Sequence, residues 1–269
     1  MTKHNGKYYI QYSGPGTELK CYSVGCYVGD SPMGPFRYQK RNPILTERGG
    51  LVNGTAHHSV VEGPDGNLWC FYTTLVRQVH FFERRIGMDP VGFDENGEMF
   101  VSGPTETPQL APGLVKAPWE KNDAGLLNLS AGRETWASSW LMAREPTRAS
   151  DDDIRTYWEP EDDDKEPWLL SDLGREYEVS SARTIFGDLG LDYDNGVVPG
   201  PYKYLIEGSM DKTEWQTLLD LSENTIDRHI AYDAWQPFVA RYVRLTILDV
   251  PAGMRPAVWE FTVFGKVPE

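Results

Sequence analysis

The stretch NGTAHHSVVEGPDGNLWCFYT, residues 53–73, decides the fold. Residues 57–62 and 68–74 both read as strands, rich in Val, Tyr, Phe and Trp. Between them Pro64-Asp65-Gly66-Asn67 is a tight-turn signal, so the two runs form a hairpin. The same grammar repeats outward. Asp94-Glu95-Asn96-Gly97 separates candidate strands 80–88 and 98–101, and residues 7–13 and 23–29 supply two more. Nothing ahead of residue 7 reads as a first strand. Paired strands at such short spacing fit propeller blades and a β-sandwich equally well, and helical periodicity is absent. The expected class is all-β.

Composition agrees. The 269 residues include Trp 9, Tyr 14 and Phe 10, with Gly 26 and Pro 19 to punctuate short strands. A formal net charge of -14 argues against nucleic acid or an anionic membrane as partner. No segment approaches the roughly eighteen apolar residues of a membrane span, and no signal-like leader is seen, so the expected location is cytoplasmic. Cys21, Cys26 and Cys70 form no CxxC pattern, and three buried thiols in a reducing compartment is the expectation.

Between Pro104 and Lys121 four prolines interrupt the text, which reads as a linker or strap between two domains. Beyond it, candidate strands are 168–172, 182–186, 202–207, 215–219, 241–248 and 258–265. In residues 241–247 the alternation sends Val243, Leu245 and Ile247 to one face and Tyr242, Arg244 and Thr246 to the other.

Several residue types could carry chemistry. Asp151, Asp152 and Asp153 with Thr156 stand just before Tyr157-Trp158 and offer hard oxygen ligands of the kind calcium takes. The acidic run 161–164 reads instead as a solvated loop. His57 and His58 are adjacent on a strand and face opposite ways, so one of them faces a site while the other packs. The consecutive Arg84 and Arg85 divide in the same manner. Glu18, in a glycine-rich loop, either lines a pocket mouth or is an ordinary surface carboxylate. No pair of acids facing each other across a cleft can be nominated within the first 110 residues.

Four stretches taken in order, GKYYIQYSG, VGCYVGDSPMGPF, NGTAHHSVVEGPDGNLWCFYT and ERRIGMDPVGFDENGEM, resemble the later portion of glycoside hydrolase family 43. The resemblance implies about the last half of a five-bladed β-propeller, here residues 1–110, from a family of inverting enzymes acting on β-xylosides, α-L-arabinofuranosides and related glycans. It also implies that the family's two aspartates and its Glu-Gly-Pro general acid lie upstream of this text, so that none of the three acids is in the chain. Glu62-Gly63-Pro64 is a decoy leading into a hairpin turn. By resemblance His57 matches a histidine near the propeller axis that binds a central ion, and Arg84, with Arg85 as runner-up, matches an arginine contacting sugar. After a linker at 111–125, residues 126–269 resemble a discoidin-like β-sandwich, the coagulation factor V/VIII C-type module also used in carbohydrate-binding family 32. The matching text is DDDIRTYW, PWLLSDLG, YLIEGSMDKTEWQTL, ARYVRLTI and WEFTVFG. That resemblance implies a structural calcium held by Asp153, Thr156 and Glu260, with Asp151 also in reach, although Asp152 stands where relatives often have glycine. The combined expectation is one portion of a split inverting glycosidase, inactive until a second polypeptide supplies the remaining blades. The alternative is a non-catalytic carbohydrate-binding or scaffolding protein.

Overall fold

The computed structural model describes residues 1–47, 49–78 and 83–268. Two compact units emerge, Met1–Ala124 and Gly125–Glu269.

The first unit contains two four-stranded antiparallel sheets. One runs β1 (Thr2–His4), β2 (Lys7–Gly14), β3 (Ser23–Gly29), β4 (Phe36–Tyr38), and the other β5 (Asn53–Glu62), β6 (Leu68–Leu75), β7 (Arg85–Phe93), β8 (Met99–Val101). Each is a meander in sequence order, the pattern of a propeller blade, and the pair forms an unclosed, partial propeller. The text ahead of residue 7 does contain a strand. Asn5 and Gly6 both adopt positive φ, 45° and 77°, and this two-residue turn folds β1 back onto β2. An Asn-Gly pair is the sequence signal for that turn. The expected strand 80–88 begins among residues outside those described, and the observed strand is β7, which continues to Phe93. Both predicted turns close their hairpins. Asp94 accepts from the amides of Asn96 and Glu98 at 2.9 Å each, and Asp65 accepts from Asn67 and the Trp69 indole.

Tyr9, Val24, Cys26, Leu45, Ala56, Cys70, Tyr72, Val91, Met99 and Val101 make one core between the two sheets. Cys26 and Cys70 belong to it, but Cys21 is exposed in the β2–β3 loop, contrary to the expectation of three buried thiols. All three are free. The proline-rich stretch is a strap on the first unit rather than a free linker. Asp89, fully buried on β7, accepts from the Tyr72 hydroxyl at 2.6 Å and from the Gln109 amide at 3.0 Å, with Thr105 Oγ1 on the same carboxylate. Further along, Asp65 accepts from the Gly113 amide at 3.1 Å. A buried carboxylate needs such donors, and the strap supplies them.

The second unit is a sandwich built on two long bent strands. After β9 (Leu127–Asn128) and β10 (Glu134–Ala137), β11 (Trp168–Phe186) pairs along most of its length with β14 (Ile230–Asp249). Register shifts after Asp172 and Val179 bend the pair, so its two halves serve two faces. One half is flanked by β10 on one side and by β12 (Lys203–Ser209) and β13 (Gln216–Asp220) on the other. The other half is flanked by β15 (Val258–Lys266) and β9. The separate strands read at 168–172 and 182–186 are thus two halves of β11, and the run 241–248 is the second half of β14. Val243, Leu245 and Ile247 point into the core with Trp158, Phe186, Tyr204, Val263 and Phe261. Their alternation partners Tyr242 and Thr246 are also covered, at 7% and 5% exposure, with Lys212 and Arg241 lying over the Tyr242 ring.

Candidate functional site

In the first unit, one end of the two sheets collects the residues singled out above. There β2 stops at Gly14, β3 and β5 start, and the chain re-enters β7 at Arg85. His57 has a positive φ of 48° inside a register shift of β5, which turns its side chain out to solvent. Its amide donates to Ser13 Oγ at 3.0 Å, and the same hydroxyl lies 3.3 Å from His58 Nδ1. Burial pulls the His58 pKa below the ordinary histidine value, so His58 is the packed partner of the pair. Arg84 donates to the backbone oxygen of Thr17 and, at 3.1 Å, to Thr17 Oγ1, which pins the loop carrying Glu18. Arg84 Nη1 is buried with no hydrogen-bond partner among the described residues. Arg85 is spent differently: it donates to Glu83 at 2.8 Å, and Glu83 also accepts from Arg77 at 2.7 Å. Glu18 folds its carboxylate back over Gly16. Arg84, the Thr17-Glu18 loop, Ser13 and His57 therefore share one end of the unit. Glu62 lies at the far end of β5, next to the Pro64 turn.

In the second unit the aspartate loop is arranged otherwise than the resemblance implied. Thr156 Oγ1 donates to both Asp151 carboxylate oxygens at 2.9 Å, and Asp153 is paired with Arg155. The carboxylate turned toward Glu260 is that of Asp152, whose φ of 54° is left-handed and whose amide donates to Glu260 Oε2 at 3.3 Å. Glu260 is fully buried, and burial with the nearby Asp152 pushes its pKa up to about 8. Asp152 is raised too, chiefly by burial, with Arg183 opposing. Asp152 Oδ1 and Glu260 Oε1 are both buried without a hydrogen-bond partner. Two orphaned carboxylate oxygens, on residues near enough for Asp152 to raise the Glu260 pKa, suit a hard cation. Among the described residues, however, no group of three or more His, Cys, Asp or Glu side chains is arranged to hold a metal.

The loops between the sandwich strands carry a further cluster that sequence reading missed. Trp140 is 48% exposed on the loop after β10, and the next amide, Leu141, donates to Glu159 O at 2.9 Å. The Arg144 guanidinium lies 3.9 Å over the Tyr157 ring, and that ring stacks on Trp259 at 4.1 Å. Glu159, 5% exposed, accepts from Arg255 Nε at 2.9 Å, with Arg144 Nε 3.9 Å away. An exposed indole thus stands beside a rigid, ion-paired base. Nearby in the same class of loops, His229 bonds Asp188 through Nδ1, with Asp227 3.5 Å from Nε2. Trp158, Trp168, Trp215 and Trp259 all fall within the motifs of the second unit, and Trp158 is wholly core. Trp140 falls in none of the motifs, so nothing in the sequence marks it.

Residues 1–99 match the family model described as glycosyl hydrolases family 43, and residues 129–261 match the F5/8 type C domain. The chain thus joins a region that matches family 43 in part to a region that matches the F5/8 type C domain. A 62-residue stretch is 48% identical to a protein named beta-xylosidase from Xylanibacter ruminicola, covering 23% of this chain and 17% of that protein. It is equally identical, at 48% over 62 residues, to a xylosidase/arabinosidase from Bacteroides ovatus, covering 23% of this chain and 16% of that protein. The match thus spans only about a sixth of each relative's length. Among solved structures, chitosan-binding module 1 of a chitosanase/glucanase from Paenibacillus sp. IK-5 aligns at 24% identity and a TM-score of 0.44, covering 52% of this chain and 99% of that one.

The two meander sheets fall almost wholly within the residues matched to family 43, and the bent β11–β14 pair falls within those matched to the F5/8 type C domain. Among the described residues no helix is long and apolar enough to cross a membrane.

Proposed function

We propose that this chain is a carbohydrate-binding protein whose F5/8 type C unit holds a neutral oligosaccharide on its loop end. One observation carries the reading: the half-exposed Trp140 beside the Arg144–Glu159–Arg255 base. A flat indole offers an apolar face to the C–H face of a sugar ring, and the charged groups beside it offer donors and acceptors to ring hydroxyls. The names of the family 43 relatives make xylo- and arabino-oligosaccharides the first ligands to try. Isothermal titration with xylohexaose and arabinohexaose is the test. Trp140→Ala is expected to weaken binding at least tenfold, a loss of about 1.4 kcal/mol. Unchanged affinity in that variant overturns the reading.

A second reading has its own support, the outer face of the first sheet. Tyr12, Tyr27 and Tyr38 are all exposed there, with ring centroids 5.7 and 5.3 Å apart in sequence. An aromatic ladder across three strands is suited to packing against another sheet. A partner chain bringing further blades, and with them the two aspartates and the general-acid glutamate, would make Arg84 a sugar-holding residue in an inverting glycosidase of xylosides or arabinofuranosides. His57, and Arg85 and Glu18 to a lesser degree, would shape the floor and mouth of that pocket. Native mass spectrometry of the protein from its source should then show a second, different chain, and Tyr27→Asp should release it. A chain that purifies only alone, with no hydrolysis of aryl xylosides in any fraction containing it, sinks this second reading.

Calcium is proposed for the sandwich, held by Asp152 and Glu260 with backbone carbonyls and water, and with Asp151 close by. Its role there would be to neutralise two buried carboxylates and so fix the loop 151–156 against β15.

A further inference from the structure

A groove in the first unit is lined by residues other than those of the candidate sites. It is open, about 870 Å³, and bounded by β8, the loop 102–107 and the strap residues Trp119 and Glu120. Its volume falls within the roughly 300–1,000 Å³ of ligand clefts. A smaller cavity of about 180 Å³ also has Phe93 and Trp119 in its lining.

One wall is aromatic and rigid. At Gly92 a Cβ would come within 2.5 Å of Phe100 Cζ and 2.7 Å of Trp119 Cγ, so both rings rest directly on the backbone there. Arg41 covers the Phe100 ring at 3.9 Å, and Phe93 stacks on His4 at 3.7 Å with an interplanar angle of 2°. The absence of a side chain at Gly92 is what lets the strap tryptophan lie flat against β7. The other wall is polar, with Asp94, Glu106, Glu120 and Thr107 among the lining residues. Glu106 is held in place by the Val52 amide at 3.1 Å, and Asp94 by its own turn.

The geometry points to a second carbohydrate-binding site in this groove, taking an uncharged oligosaccharide with its ring face on Trp119. It rests on the reading above only in choosing neutral glycans as the ligand class. Among the described lining residues, Asp94 and Glu120 bring carboxylate oxygens that accept readily from paired sugar hydroxyls and disfavour a phosphate, sulfate or uronate beside them. The mixture of flat apolar rings and acceptor oxygens is what an uncharged pyranose or furanose requires, because it has C–H faces and an equatorial belt of hydroxyl donors.

Hydrogen exchange on the full chain with and without xylohexaose tests this. Protection is expected in residues 99–107 and 117–121, and it should persist in Trp140→Ala. Thr107→Trp, which fills the cavity, should abolish that protection. Glu120→Ala, an exposed change that leaves the aromatic wall intact, should weaken it several-fold. Protection confined to the sandwich loops overturns the groove site while leaving the sandwich reading standing, and protection nowhere overturns both. Protection at the groove that survives both Thr107→Trp and Glu120→Ala also overturns it, as does a preference for hexagalacturonate over xylohexaose.

Discussion

Asp152 shows how one side chain can change the chemistry of an inherited loop. It occupies a left-handed backbone position, φ 54°, that costs an L-residue about 1–2 kcal/mol relative to glycine. It also places a half-buried carboxylate against the fully buried Glu260. Asp152→Gly should therefore raise the thermal midpoint in chelator, by an amount equivalent to about 1 kcal/mol. In calcium the same variant should lose most of the midpoint rise that the native chain shows as free calcium increases. A midpoint insensitive to calcium in the native chain, with no metal by elemental analysis, removes the calcium proposal. A second residue-scale prediction concerns Asp172. Arg241 donates to it twice, at 2.9 and 2.8 Å, and the Gly174 amide donates at 2.8 Å. The paired guanidinium and this amide outweigh burial and hold its carboxyl below the usual carboxylate range. A depressed folded value means that the unfolded chain binds the proton first as pH falls. The stabilisation is therefore complete above the ordinary Asp value and is lost as pH drops through the lower folded value. Arg241→Ala should flatten that acid limb in a stability-versus-pH series, and an unchanged slope counts against the pairing.

Among the elements, β15 is the least forgiving. Eight of its nine residues are buried, and at Gly265 a Cβ would sit 2.3 Å from Glu178 O on β11. Backbone oxygen cannot rotate away as a long side chain can. Gly265→Ala should therefore cost about 3 kcal/mol and expose amides of β11 and β15 to hydrogen exchange together. Ordinary exchange at both strands would mean that the pair has room to shift. The strap has a comparable element-scale role, since Asp89 draws in Thr105 and Gln109 and its pKa is raised above the usual range by burial. The sequence reading left this segment between linker and strap. Proline content predicts a non-helical path, but only the buried carboxylate decides where that path is anchored.

Each unit of the molecule has its own core, one drawn from residues 9–101 and the other from residues 129–263. Residues 125–269 expressed alone should accordingly give a dispersed, cooperative fold. Residues 1–124 alone carry the exposed tyrosine ladder on one sheet and Phe71 and Ile86, 39% and 80% exposed, on the other. Apolar sheet faces of that kind associate, so this fragment should sediment as more than a monomer unless a further sheet covers it. A monodisperse monomer would show that these faces tolerate water as they are.

Local chemistry made much of this protein legible from its sequence: the all-β class, both predicted hairpin turns, the inward face of Val243, Leu245 and Ile247, and the likeness to two families. These depend on periodicity and turn residues, which act over a few positions. The Asn5-Gly6 turn belonged to the same grammar and was simply passed over. Other features depended on contacts between distant residues, and no spacing rule could reach them. Asp152 rather than Asp153 faces Glu260 because a left-handed φ reverses the direction of one side chain. Arg84 and Thr17 meet because two sheets place their ends together. Cys21 is exposed, and Cys26 and Cys70 are not, because a thiol's burial is set by which strand covers it. Trp140 stands in solvent while Trp158 fills the core for the same reason: an indole has no intrinsic side, and only the packing of the whole sandwich assigns one.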